Sequence, residues 1–146
     1  MSYVAPHSNA LEIAVLNWTV AGINTDATLT LNGSSWATAP DLTSGRVTLP
    51  AGHYRFCAAV GLTRASSSYN VRFAVQSYDG ATYTTIGSEG QSDLYFSQGN
   101  SDLADGVLSV PAGSTMDVTV RVLQIQNAMP TIVSADSTFV IWRTDL

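Results

Sequence analysis

Apolar and polar residues alternate with a period of two along most of this chain, and this pattern constrains the fold more than any other feature. Side chains in a β-strand alternate between the two faces of a sheet, so each such run predicts a strand with one face in the core. Only residues 10–18 could also form a short helix, and their Ile, Val and Trp content fits a strand equally well. The apolar faces are formed by Val47 and Leu49; Tyr54, Phe56, Ala58, Val60 and Leu62; Val71, Phe73 and Val75; Met116, Val118, Val120 and Val122; and Phe139 and Ile141.

Gly, Pro, Ser and Asp residues separate these runs and predict where the strands end. Pro50-Ala51-Gly52 and Pro111-Ala112-Gly113 are expected to be turns, and Asp79-Gly80 predicts a hairpin. About seven or eight strands at spacings of roughly 8 to 15 residues are typical of a β-sandwich or barrel. The length of 146 residues fits a single all-β domain of this kind.

The composition favours burial of apolar surface between subunits. Apolar residues make up 45% of the chain and charged residues 12%, which is about half the usual charged share. The mean hydropathy of +0.14 is high for a dissolved protein. No run approaches the roughly 18 apolar residues of a membrane-spanning helix, so we expect no membrane insertion. The N-terminal residues also lack the basic start and apolar core of a signal peptide, so we expect no export.

Charge and motifs exclude two large classes of function. The six basic residues are all arginines spread along the chain, and the net charge is −5, whereas nucleic-acid binding needs a clustered basic surface. No P-loop, dinucleotide-binding, zinc-protease or serine-hydrolase motif occurs. We therefore expect a protein that is not an enzyme and that has no catalytic residues and no cofactor.

Two strands are apolar on both faces, which predicts an assembly. Cys57 and Ala59 form the second face of the strand after Gly52, and Val140 and Trp142 form that of the last strand. In a sandwich only one face meets the core, so the other must be covered by another subunit or by the N-terminal segment of the same chain. We expect a subunit interface with these four residues at its centre and Trp142 as the anchor.

Several segments resemble a known family. LNGSSWATAPDLTSGRVTLPAGHYRFCAAV resembles the opening of the jelly roll shared by the globular head of the first complement component and by tumour necrosis factor. GVLSVPAGSTMDVTVRV is similar to the later hairpin of that family, and STFVIWR to its closing strand. GRVTLPAGHYRF and the terminal IWR resemble still more closely the versions in bacteriophage tail-fibre tips, head fibres and capsid decoration subunits.

The resemblance implies a two-sheet antiparallel jelly-roll sandwich that forms a homotrimer around a threefold axis. It covers about residues 22–146, so residues 1–21 are interpreted as an N-terminal arm and residues 22–146 as the jelly-roll domain. The arm is too apolar for a simple linker, and it either adds a strand or docks onto a partner protein. The docking candidates are Tyr3, Leu11, Ile13 and Trp18.

A location and partners follow from the same resemblance. No collagen-like repeat or long fibre shaft precedes the domain, so we expect a free-standing module that attaches through its own surface. The favoured function is a structural virion protein, made in the cytoplasm of a bacterial host, that decorates or cements the phage head by binding the major capsid protein or another virion protein. The alternative is the tip of a tail or head fibre that binds a host receptor or glycan.

Two groups of polar or aromatic residues are candidate sites with two interpretations each. Tyr78, Tyr83 and Tyr95 lie near turns, where they could stack on sugars or pack across neighbouring strands. The acidic segment 93–106 contains Asp93, Asn100, Asp102 and Asp105 and could hold calcium, although such residues also favour solvated loops.

The remaining reactive side chains predict no site. Cys57 is the single cysteine, and its setting between aromatic and small residues is typical of a small buried hydrophobe. His7 and His53 are expected to be exposed, not metal ligands.

Overall fold

The computed structural model describes residues 12–19, 22–36, 40–43, 45–61, 69–95, 98–126 and 137–144. None of these residues forms a helix that could cross a membrane. The described ranges contain nine strands, all paired antiparallel: β1 (Glu12–Thr19), β2 (Thr28–Ser34), β3 (Asp41–Thr43), β4 (Arg46–Ala59), β5 (Tyr69–Tyr78), β6 (Tyr83–Tyr95), β7 (Gln98–Asp102), β8 (Ala104–Gln126) and β9 (Ser137–Arg143).

The strands are hydrogen-bonded in the order β2-β1-β9-β4-β8-β5-β6-β7, and β3 pairs with β4. Trp18 on β1 nevertheless contacts Phe73 on β5, with a ring-centroid distance of 5.8 Å. Strands so far apart in the sheet order can touch only if the sheet folds over on itself. The molecule is therefore a two-layer sandwich with the core between its layers, as the alternation predicts.

The sheet folds over at β4 and β8, because each of these long strands takes part in both layers. Val47–Pro50 pairs with Thr115–Val118, whereas Gly52–Ala58 pairs with Ala104–Val110. We call the layer formed by β2, β1, β9, the second half of β4 and the first half of β8 the front sheet. The back sheet contains β3, the first half of β4, the second half of β8, β5, β6 and β7.

The two Pro-Ala-Gly segments are bends within strands, so the prediction that strands end there is wrong. The register of β4 with β8 shifts between Pro50 and Gly52, and both strands continue beyond the shift. Gly113 has φ of 78°, a left-handed conformation that glycine adopts without strain. Proline is tolerated at such an irregularity because its missing N–H removes no regular ladder bond.

The predicted apolar faces line the core. Val60 and Met116 are half-buried, and Leu62 lies outside the described residues. The Asp79-Gly80 hairpin is confirmed, because Tyr78 pairs with Tyr83 across it. The buried members of the predicted faces are Val47, Leu49, Tyr54, Phe56, Ala58, Val71, Phe73, Val75, Val118, Val120, Val122, Phe139 and Ile141.

Within the proposed arm, residues 12–19 form a strand, β1, which lies between β2 and β9 in the front sheet. Trp18 is 1% exposed, and its Nε1 donates hydrogen bonds to the carbonyls of Ala59 at 3.1 Å and Thr138 at 3.0 Å. The docking prediction for Trp18 is corrected accordingly, because a side chain buried in its own core presents nothing to a partner. Residues 1–11, which include Tyr3 and Leu11, lie outside the described residues, and the boundary after residue 21 stays a prediction.

Candidate functional site

The outward surface of the front sheet, which we call the front face, carries the candidate site. Residues directly opposite each other in antiparallel strands project from the same face, so the register assigns its members. One row runs Ile13, Trp142, Arg55, Val107, and the next runs Val15, Val140, Cys57, Asp105. Ala59 lies opposite Thr138 in the row that follows.

The four residues predicted for a subunit interface lie together on the front face. Cys57 pairs directly with Val140, Trp142 pairs with Arg55, and all four predicted side chains, including Ala59, are half-buried. Their neighbours Phe139 and Ile141 on β9 are 0% and 1% exposed on the inward side. Strand β9 is thus apolar on both sides: Phe139 and Ile141 are buried on the inward side, whereas Val140 and Trp142 are half-buried on the outward side. Contact with another subunit stays a prediction at this point.

The apolar surface extends further than the sequence predicted. Ile13 on β1 continues it beyond Trp142, and Val15 continues it beyond Val140. On the opposite edge, Val107 is 70% exposed. The alternation in the sequence could have identified Val107 as part of this surface. Leu108 is buried, so its neighbour Val107 is an apolar residue on the outward, otherwise polar side of the strand.

An open hollow lies beside Val107 on this surface. It has a volume of about 460 Å³ and is lined in part by Arg55, Cys57, Asp105, Val107 and Trp142. Its walls combine an indole ring, an aliphatic side chain, one cation and one anion. A hollow of this kind fits a small apolar side chain accompanied by charged groups.

Two charged side chains flank the hollow on neighbouring strands. Arg55 is exposed, and it forms no ion pair with any described residue. Asp105 is also exposed, and Ser88 on β6 donates a hydrogen bond from its Oγ to Asp105 Oδ1 at 2.7 Å. Burial, followed by the negative charge of Asp105, raises the pKa of the Cys57 thiol. The thiol is therefore a weak nucleophile at neutral pH.

A close approach of two backbones positions Asp105. Gly87 on β6 has φ of 70°, and a Cβ added there would overlap the carbonyl oxygen of Asp105. A Cβ added at Gly106 would lie 2.8 Å from the Cα of Gly87. Because neither residue has a side chain, β6 approaches the first half of β8 closely enough for Ser88 to reach Asp105.

A second group of polar residues, which we call the arginine–tyrosine cluster, comprises Asp26, Arg46, Tyr78, Tyr83 and Arg121. Asp26 lies 3.0 Å from Arg46 Nη1 and 3.6 Å from Arg121 Nε. The guanidinium of Arg46 lies 4.2 Å from the centroid of Tyr78, and that of Arg121 lies 3.7 Å from the centroid of Tyr83. The two rings contact each other at 4.6 Å.

The cluster connects separate elements of the chain. Arg121 also donates a hydrogen bond to the carbonyl of Asn24, so the segment before β2 is held to β8. Burial raises the pKa of Tyr83, and its hydrogen bond to Asp26 and the charge of Asp26 raise it further. Arg46 Nη1 donates to the Tyr83 hydroxyl at 3.3 Å. These contacts fix the hairpin between β5 and β6 against the rest of the fold.

The residues predicted to bind a glycan do not form an open aromatic platform where the structure describes them. Tyr78 and Tyr83 are half-buried, their rings contact each other at a tilt, and each ring is covered by an arginine guanidinium. The backbone of Tyr95 ends β6, and its side chain is not among those described. Glycan binding by these residues stays a prediction.

The acidic segment is mostly strand, so the expectation of a loop is wrong. Asp93–Tyr95 belongs to β6 and pairs with Gln98–Asn100 of β7, and Asp105 belongs to β8. Strand pairing satisfies the backbone of residues that also favour turns. Among the described residues, no group of three acidic, histidine or cysteine side chains could hold a metal ion.

Of the two histidines, His53 lies within the described residues. Its Nδ1 lies 2.7 Å from Ser109 Oγ in an exposed position, and His7 lies outside the described residues. Thr144 donates hydrogen bonds to the His53 carbonyl from its backbone and its hydroxyl. The contacts of His53 therefore fasten the end of β9 to β4.

Comparison with solved structures finds the same fold in two proteins of the tumour necrosis factor family, Eiger TNF and APRIL. Eiger TNF from S. frugiperda aligns with a TM-score of 0.62 at 14% sequence identity, over 94% of this chain and 96% of that one. Murine APRIL at pH 8.0 aligns with a TM-score of 0.59 at 12% identity, over 92% of this chain and all of that one. No protein-family model and no curated protein matches the sequence. These likenesses confirm the antiparallel jelly roll and the resemblance to tumour necrosis factor, and at such low identity they show the fold alone.

Proposed function

We propose that this protein is a non-enzymatic structural module that assembles into a homotrimer through its front face. The observation that carries the proposal is the apolar surface of β9 and its neighbours, which the chain itself leaves half-exposed. Val140 and Trp142 lie at its centre, and Val107 at its edge is 70% exposed. A contiguous exposed apolar surface on a folded domain is typical of an interaction site.

The absence of catalysis is part of this proposal. The Cys57 thiol has a raised pKa, which opposes its use as a nucleophile. The His53–Ser109 pair lies in an exposed position, where water competes for its hydrogen bonds. Neither arrangement favours chemistry over association.

We further propose that the trimer decorates or cements a bacteriophage head. The sequence resemblance of GRVTLPAGHYRF and IWR to phage virion proteins supports this assignment. The arginine–tyrosine cluster is closed by its own contacts, which disfavours glycan binding by Tyr78 and Tyr83. The partner is then the major capsid protein or another virion protein, and the location is the virion.

Co-sedimentation tests the decoration function. Purified protein is mixed with heads assembled from the major capsid protein encoded in the same genome, without their decoration proteins. Saturable sedimentation of the protein with the heads is expected, because a repeating lattice offers a fixed number of sites. If the protein stays in the supernatant at all concentrations, head decoration is wrong.

A glycan array separates the alternative. Binding to host polysaccharide that is lost in Tyr78→Ala, with the trimer retained, would favour the receptor-binding tip of a fibre. No binding on the array together with binding to heads is the result that the proposal predicts.

A further inference from the structure

We infer that two copies of the protein pair through the outer edge of β2, in an antiparallel arrangement with Thr30 on a twofold axis. The two front sheets then form one continuous sheet across both copies. The pairing uses the edge of the front sheet and not its outward face. It therefore joins whatever particles the front face forms, and it does not depend on the proposed trimer.

The outer edge of β2 has no partner strand among the described residues. β2 is the terminal strand in the hydrogen-bonding order, and β1 pairs with its other side. The backbone N–H and C=O groups of such an edge form a template for a further strand. A hollow of about 210 Å³ also lies beside the start of β2, lined by Asp26, Ala27, Thr28, Leu29 and Gly45. The described part of the chain therefore leaves this side of β2 open.

Charge distinguishes β2 from the other described edges. β2 has the sequence TLTLNGS and carries no charge. Each of the other edges contains an aspartate: Asp41 in β3, Asp102 in β7 and Asp105 in the first half of β8. Pairing one of those edges with its own copy would bring two carboxylates together, in a protein whose net charge is already −5. Edge strands commonly use charges to prevent such pairing, and β2 has none.

The order of residues in β2 also suits a twofold axis. An antiparallel pair with this symmetry needs a pattern that is the same in both directions. With Thr30 on the axis, Leu29 of one copy lies opposite Leu31 of the other, and Thr28 lies opposite Asn32. Opposite residues project from the same face of a sheet, so the leucines of both copies meet on the inward side. There they are half-buried against the core, and pairing covers their remaining exposed surface.

The edge is short, so the pairing is expected to be weak. β2 has seven residues, and Asn32 is the extra residue where its register with β1 shifts. We expect a dissociation constant on the order of 1 mM, because one pair of edge strands buries less surface than a stable interface needs. Size exclusion at lower concentrations therefore detects the unpaired particle. Larger particles should appear in concentrated solution, as measured by sedimentation equilibrium.

A disulfide trap tests the twofold axis. Thr30→Cys places one thiol from each copy on the axis, at a Cα separation that a disulfide can span. With oxidised glutathione, the linked particle should have at least twice the mass of the reduced one. It should form at least about tenfold faster than in Thr84→Cys, because pairing raises the effective concentration of the thiols. Thr84 is the matched control, since it is also an exposed strand residue.

Two results of the trap would overturn the inference. One is an equal rate of linkage in Thr30→Cys and Thr84→Cys. The other is a linked particle with the same mass as the reduced particle, because the disulfide would then lie within one particle. Peptide mapping without reduction distinguishes a link between the two substituted positions from a link through Cys57.

Charges at position 30 test the pairing independently. Thr30→Glu and Thr30→Arg each place two like charges opposite each other on the axis, so each variant alone should form none of the larger particles. An equimolar mixture of the two variants should form them again, because each pair then joins opposite charges. A mixture that behaves like the single variants would contradict the twofold axis at Thr30.

The particle mass in dilute solution separates this inference from the proposed function. Both charge variants should keep the wild-type mass there, because Thr30 lies opposite Asn17 at the margin of the front face. If they instead dissociate the oligomer, Thr30 belongs to the contact through the front face and the inference is wrong. If the wild-type protein is monomeric in dilute solution, the proposed trimer is wrong, and the same variants still test the pairing of β2.

Discussion

The front face and the arginine–tyrosine cluster differ in whether their side chains find partners within the chain. In the cluster, Arg46 and Arg121 contact Asp26 and stack on tyrosine rings of the same chain. On the front face, Arg55 has no ion-pair partner among the described residues, and Trp142 is left half-exposed. Groups that find partners within the chain stabilise the fold, whereas groups without them indicate where a second molecule binds. Changes in the two regions should therefore separate folding from assembly.

The largest effect is expected from a charge placed on the front face. Ala59→Arg should convert the oligomer into a folded monomer, because leaving a charge buried without a partner costs about 3–5 kcal/mol. That is more than about a hundredfold in the association constant, measured by sedimentation velocity. Thr84→Arg on β6 is the matched control, because Thr84 is exposed on the back sheet. An Ala59→Arg protein that remains oligomeric would show that Ala59 does not face a subunit.

Two adjacent residues of β9 sharpen the comparison between the two sides of the front sheet. Phe139→Ala should lower the free energy of unfolding by about 3–5 kcal/mol, because Phe139 is 0% exposed in the core. Val140→Ala should change unfolding of the monomer much less and should instead weaken association. Urea denaturation at low protein concentration measures the first effect, and sedimentation the second. If Phe139→Ala and Val140→Ala lowered the stability of the monomer equally, the assignment of one side to the core and the other to association would be wrong.

Removal of one arginine from the cluster should have a smaller effect, confined to folding. Arg121→Ala removes the ion pair with Asp26, the bond to the Asn24 carbonyl and the stack on Tyr83. We expect a loss of about 1.5–3 kcal/mol in the free energy of unfolding, because hydrogen bonds to charged groups have this magnitude. The particle mass should not change. A dissociated oligomer would place the cluster in the interface.

The smallest expected effect is a decrease in the stability of the fold at high pH. The pKa of Tyr83 is raised in the folded protein by burial and by Asp26, so the unfolded chain releases this proton first. The contribution to stability is complete below about pH 10, the ordinary tyrosine pKa, and it is lost as the pH rises through the higher folded value. Thermal unfolding between about pH 9 and 11 should show a decline that is reduced in Tyr83→Phe. Tyr78→Phe is the control, because the Tyr78 hydroxyl donates to Gly80 within its own hairpin. An unchanged decline in Tyr83→Phe would contradict the assignment.

The sequence predicted the faces of the strands because alternation depends only on local spacing. Phe139 and Val140 are adjacent, and their opposite orientations follow from the period of two. The bend at Pro50 was not predicted, because only the pairing of β4 with β8 shows that the strand continues past it. A Pro-Ala-Gly segment has the same local chemistry at a bend as at a turn.

The site was predicted in part for the same reason. Cys57 and Val140 were assigned to one surface because each is an apolar residue on the second side of its strand. Arg55 and Asp105 were not recognised as neighbours, because the register that brings β4 beside β8 is a long-range property. Asp26 and Arg121 likewise meet only through the folding over of the sheet. Spacing in the sequence carries no signal for such contacts.

The mass of the native particle, measured by light scattering coupled to size exclusion, tests the proposed trimer most directly. We expect a single species of about three times 15.4 kDa over a range of loading concentrations. A species of 15.4 kDa at every concentration would contradict the trimer, because the apolar front face would then be exposed to water without a partner.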